Sequence, residues 1–163
     1  MYCGWLWIVF AILIVFFILW LLTRPNNTVV VTERRFTTQI TSSQEVPPNL
    51  SSGVGNGTVV LAGNREYLDY TFAVNNLSTP AIAAHFHRGA VGVNGPIVKI
   101  LNLESLGENR YRLIGRWSKK DVNQPLTDDL INDLLNGRIY INIHTTRYPD
   151  GEVRGQIVNV LTN

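Results

Sequence analysis

Tyr140–Ile157, YINIHTTRYPDGEVRGQI, decides the fold. Ile139, Ile141 and Ile143 alternate with Tyr140, Asn142 and His144, the period of two that gives a strand one apolar face. Tyr148-Pro149-Asp150-Gly151 has turn chemistry, because proline presets φ and Asp-Gly tolerates a tight reversal. The chain returns with Val153 and Ile157 on one side and Glu152, Arg154 and Gln156 on the other. The pattern predicts a β-hairpin with one apolar and one polar face.

Upstream, Ala84–Pro96 (AHFHRGAVGVNGP) opens with the same asymmetry. Ile82, Ala84 and Phe86 share one side of the expected strand, while His85 and His87 share the other. With His144, that places all three histidines of the chain in two strands, each opposite an apolar face. His-x-His on a strand sets two imidazoles roughly 6.5–7 Å apart along the chain. A third histidine on a neighbouring strand could complete a set suited to zinc or copper. The competing reading is a polar network in which the histidines knit the strands together with Glu45, Tyr140, Asn142, Glu152 and Arg154. That network leaves no role for a cofactor and predicts stability insensitive to chelator, since no fourth protein ligand and no carboxylate to orient the imidazoles is visible. Arg154 is expected to pair with Glu152 or Glu45.

The two motifs AHFHRGAVGVNGPIV and YINIHTTRYPDGEVRGQI, preceded by FTTQITSSQEVPP at Phe36–Pro48, together resemble the CHRD domain, first described in chordin and present also in microbial proteins. The resemblance runs from about Phe36 to Val160. It implies an exported, extracytoplasmic domain, and it implies no particular chemistry, because fold does not determine function.

Other segments fit an all-β reading. Strands are expected within Val29–Ile40 and at Thr58–Ala62, Tyr67–Val74, Ile97–Leu101 and Arg110–Trp117, with Gln44–Gly57 as a loop. One helix, Leu130–Leu135, is expected behind Thr127 as N-cap, with acids in its first turn and Gly137 as its stop. Seven to nine short strands and one helix predict an antiparallel, Greek-key-like β-sandwich over residues 36–163. The glycines of Gly89–Pro96 are not followed by a helix, so a phosphate cradle fails its context test. Ser78, Ser105 and Ser118 lack a nucleophile-elbow setting, and Asp150 and Glu152 read as turn and ladder residues rather than a catalytic carboxylate pair.

Composition narrows the partners. The net charge is +2, from 14 basic and 12 acidic side chains scattered along the chain, so nucleic acid is not an expected partner. The single cysteine, Cys3, excludes an internal disulfide. Met1–Thr23 has no charged residue, and Trp5–Leu22 is unbroken apolar sequence, close to the ~30 Å of a bilayer core at ~1.5 Å per residue. Bulky Trp20, Leu21 and Leu22 where a cleavage site needs small residues favour a retained transmembrane anchor (residues 1–23) over a signal peptide. Residues 24–35 then form a juxtamembrane linker and first strand. Arg24 just after the span favours a cytoplasmic domain by the positive-inside rule, whereas the family resemblance favours the outer face of a cell or viral envelope, which is the expectation adopted. The expected role is a membrane-anchored, non-catalytic binding or structural module whose partner is a protein or other surface ligand. A metalloprotein using copper or zinc, with redox activity in view, is the alternative. Asn26, Asn49, Asn56 and Asn76 begin N-x-S/T sequons, candidates for glycosylation.

Overall fold

The computed structural model describes residues 3–23 and 32–160, with side chains in the first segment from Trp7 onward. Residues 1–30 and 31–163 form two separate compact units. Asn26, Arg24 and the proposed strand start at Val29–Val31 lie outside the described residues.

The first unit holds helix α1, Cys3–Leu22 (20 residues). Among the described residues no helix is long and apolar enough to cross a membrane.

In the second unit the strands are β1 (Arg34–Thr41), β2 (Val54–Leu61), β3 (Tyr67–Asn75), β4 (Ala81–Arg88), β5 (Ile97–Ile100), β6 (Glu104–Ser105), β7 (Tyr111–Ser118), β8 (Ile139–Thr145), β9 (Val153–Gln156) and β10 (Val158–Asn159). Helix α2, Asp128–Leu135, lies between β7 and β8. Thr127 caps it as expected, its hydroxyl accepting from Leu130 N at 3.3 Å.

A two-sheet sandwich was the expectation, and the hydrogen bonding departs from it. All ten strands belong to one antiparallel sheet in the order β5-β4-β8-β9-β1-β2-β3-β7-β6, with β10 also on β1. Strand β1 is the reason. It pairs with β2 from Arg34 to Thr41 on one side. On the other it meets β9 at Thr41↔Arg154 and β10 at Phe36↔Asn159 and Thr37↔Val158. The two would-be layers thus stay joined, and the sheet curls until its halves face one another. Phe86 of β4 meets Tyr70 and Phe72 of β3 edge-on at 5.4 and 5.8 Å, and Trp117 of β7 at 5.8 Å between ring centroids. These rings lie in one apolar cluster with Phe36, Ile40, Leu113, Ile141, Ile143 and Val153. Ring pairs of this kind add about 0.5–1.5 kcal/mol each beyond area burial.

The free edge of β5 is protected: Lys99 pairs with Asp121 at 2.6 Å, and Ile100 N donates to Gln124 Oε1 at 2.8 Å. Strand β2 begins at Val54, inside the stretch expected to be a loop. Its Gly57 is there because a Cβ would come within 2.1 Å of Phe72 Cδ1, so the smallest residue lets β3 lay an aromatic ring across β2.

Candidate functional site

Strands β4, β8 and β9 stand side by side, and His85 and His87 of β4, Tyr140, Asn142 and His144 of β8, and Arg154 and Gln156 of β9 share the face away from the core. Register fixes the rows. His87 pairs with Tyr140 and Tyr140 with Gln156; His85 pairs with Asn142 and Asn142 with Arg154. His144 sits opposite Ala83, one diagonal step from His85. The hairpin has the apolar and the polar side its alternation predicts, and every residue of Ile139–Ile143 is buried on both. A second covering lies over the polar face, and it is made of loops.

The three histidines come together, with one ring nitrogen from each lying within 4.8 Å of the others. His85 Nδ1 and His144 Nε2 are 3.1 Å apart. His144 Nδ1 is 2.9 Å from Pro149 O, and His87 Nδ1 is 2.9 Å from Gly95 O. A carbonyl only accepts, so both Nδ1 atoms carry their protons and both Nε2 atoms carry lone pairs. His87 Nε2 is buried with no hydrogen-bond partner. Burial, then the neighbouring His144 and His87, pull the pKa of His85 down to about 4. Burial also lowers His87 and His144, against the raising effect of their carbonyl partners. All three imidazoles are neutral at pH 7, the state in which imidazole donates a lone pair. The orienting groups that sequence reasoning sought among carboxylates are backbone carbonyls.

Tyr140 is held between its neighbours. The His87 ring stacks on it at 4.9 Å and 10° between planes, and the Arg154 guanidinium carbon lies 3.5 Å from its ring centroid. Arg154 is 1% exposed, yet it pairs with neither Glu152 nor Glu45. Its guanidinium donates to Ala90 O (2.9 Å), Gln156 Oε1 (3.2 Å) and Asn94 Oδ1 (3.3 Å). Burial lowers its pKa, while Tyr140 and Glu45 act to raise it; a guanidinium stays cationic through such a shift. Ala90 and Asn94 belong to the glycine-rich loop, which is the roof of the face. That loop is fixed again where Gly95 N donates to Tyr140 Oη (3.1 Å), Gln156 Nε2 to Gly89 O (2.9 Å) and Asn94 Nδ2 to Val46 O (2.7 Å). A Cβ on Gly95 would fall 1.7 Å from Arg88 O, so only glycine lets the loop close this tightly.

The two acids of the expected network separate. Glu152, fully buried, accepts from Ser51 Oγ, Ser78 N and Oγ, and Thr145 Oγ1. Burial alone would raise its pKa, but these donors hold it below the usual carboxylate value. It fastens two loops to the β8–β9 hairpin. Glu45 accepts from Asn142 Nδ2 at 3.4 Å, and its Oε1 has no partner. Burial drives its pKa up to about 7, against the lowering effects of Arg154, Asn142 and the Val46 backbone. Beside it opens a pocket of about 390 Å³ lined by Gln44, Glu45, Val91, Arg154 and Gln156 among others.

Serine chemistry finds no support in these bonds: Ser78 Oγ donates to Glu152, Ser118 Oγ to Glu66 O, and Ser105 Oγ accepts from Gly107 N. Of the sequons, Asn56 and Asn76 are exposed. Asn49 spends its amide on Glu152 O and Gly151 O, at 3.0 and 3.3 Å.

The family model for the CHRD domain matches residues 36–157, from β1 to the end of β9 and across every residue of the histidine face. The chain belongs to the CHRD domain family. The match spans the sheet on which the polar face is built, so the three histidines and their roof lie on the CHRD domain itself. No curated protein and no solved structure shows significant similarity to the chain.

Proposed function

We propose that this CHRD protein is a non-catalytic binding or structural module held at a membrane by residues 5–22, with the domain on the extracytoplasmic side. The observation that carries the binding role is the roofed polar face. Four side chains of three adjacent strands, His87, Tyr140, Arg154 and Gln156, are fixed by one loop through bonds to Gly89, Ala90, Asn94 and Gly95. Rotamers locked in this way cost little to order on binding, which is how preorganised sites gain affinity. The pocket beside Arg154 gives a partner, a protein or other surface ligand, a place to enter.

Support for the anchor comes from the sequence. Residues 1–23 carry no charge, and α1 from Trp7 to Leu22 is apolar on every side. A helix apolar all round has no water-facing stripe and needs lipid or protein about it. The outward orientation rests on the family's exported character against a single arginine near the span. Protease added to intact cells expressing the full chain should remove the domain. Complete protection until lysis would reverse the orientation.

A further inference from the structure

The polar-network reading of the histidines requires each imidazole to be satisfied, and one is not. His87 Nε2 is buried, carries a lone pair and meets no donor. Leaving such an acceptor dry costs about 1–3 kcal/mol. Around it the pieces of a coordination site are already set. His87 and His144 each have Nδ1–H held by a backbone carbonyl, from Gly95 and Pro149, which fixes the ring and turns Nε2 inward. An N–H···O=C bond on the far nitrogen is the arrangement that orients metal-bound histidine. His85 supplies the third nitrogen.

We propose that His85, His87 and His144 bind one zinc or copper(II) ion, with the remaining position open to water or to a donor from a bound partner. This rests on reading the domain as a binding module and names the ligand of that same face. Tetrahedral zinc with bonds of ~2.05 Å places neighbouring nitrogens ~3.3 Å apart. The His85 Nδ1 to His144 Nε2 separation of 3.1 Å, a hydrogen bond in the metal-free chain, matches that spacing once the His85 proton passes to its Nε2. The widest separation allowed by the cluster, 4.8 Å, needs closure by at most ~1.5 Å. His85 and His144 are only half-buried and can turn to supply it. Three neutral nitrogens with no thiolate or carboxylate among them select imidazole-preferring ions; magnesium and calcium demand oxygen.

The test uses the full chain in detergent micelles, stripped with chelator and dialysed. Zinc titrated in a calorimeter should saturate at about one ion per chain, and magnesium should give no heat. Copper(II) bound to the unmodified chain should show an electron paramagnetic resonance spectrum with about three nitrogen couplings. The His85→Gln/His144→Gln double substitution should weaken zinc at least ~100-fold, while Arg112→Gln, an exposed residue of β7 paired with Glu104, leaves it unchanged. A natively folded chain that takes up no zinc, a copper spectrum with oxygen ligands only, or a double substitution without effect overturns the site. The spectrum needs no variant, so misfolding of the double substitution cannot mask the answer. Failure here leaves the binding-module reading intact, since that reading rests on the roofed polar face and its pocket and not on an ion.

Discussion

Glu45→Gln should stabilise this domain, and only at neutral to alkaline pH. Two buried acceptors without partners, Glu45 Oε1 and Asn142 Oδ1, each lie 2.8 Å from the point that a Cβ on Gly151 would occupy. A proton on Glu45 brings a donor to that spot; an ionised carboxylate brings a third lone pair and a charge. Burial raises the folded-state pKa from 4.5 to about 7, against the lowering effects of Arg154, Asn142 and the Val46 backbone. A carboxyl with a raised pKa favours the native state while protonated. Its cost therefore begins as pH climbs past the unfolded value of 4.5 and is complete above about 7. The full shift corresponds to about 3 kcal/mol at 1.36 kcal/mol per unit, and screening through the open pocket reduces it to about 2. Glutamine keeps the acceptor for Asn142 and supplies the donor at every pH. With a urea m-value of about 2 kcal/mol/M, the variant's midpoint at pH 8 should lie about 1 M above the parent. At pH 4.5 the gap should shrink to about 0.2 M. The domain expressed from Val29 onward, which contains the whole core, suits the measurement. The comparison must be a difference between the two proteins. The histidines, with lowered folded pKa values, contribute stability above about 6.5 that is lost as pH falls, the opposite sense to Glu45. Equal midpoints at pH 8, or a gap of the same size at both pH values, would refute the argument.

Ile141→Asp should abolish cooperative folding, since Ile141 is 0% exposed in the apolar cluster and a charge there has no partner; an unchanged melt by circular dichroism would mean that the inward face of β8 is misassigned. In a host that glycosylates secreted chains, Asn76 should be modified and Asn49 should not, because the Asn49 amide is committed to Glu152 O and Gly151 O; glycopeptide mapping that finds sugar on Asn49 in the folded protein would contradict those bonds.

Much of the site could be read from the sequence because strand alternation is a local signal. Ile139, Ile141 and Ile143 set the apolar side of β8, so His144 and Asn142 had to share the other, and the His85-x-His87 spacing did the same for β4. What joined the strands was not local. That β1 serves both halves depends on a single Thr41↔Arg154 pair and on the two residues of β10, contacts between opposite ends of the domain that no periodicity encodes. The start of β2 was hidden because Gly55 and Gly57, which read as loop residues, are required by the close approach of β3. The orienting partners of His87 and His144 are main-chain carbonyls, which every residue carries and no side chain advertises. Glu152 and Arg154, two apart on a strand, looked like a pair. The chain enters β9 only at Val153, and Glu152, still in the turn, is drawn to Ser51, Ser78 and Thr145.

The central claim is that the roofed face of this CHRD domain is a site, with His85, His87 and His144 as its centre. Elemental analysis of the full chain, purified from its own membranes without chelator or added metal, tests that most directly. About one zinc or copper per chain, lost together with His85 and His144, is the predicted result. A folded chain that holds neither metal, and that copper(II) or zinc cannot load, would contradict it.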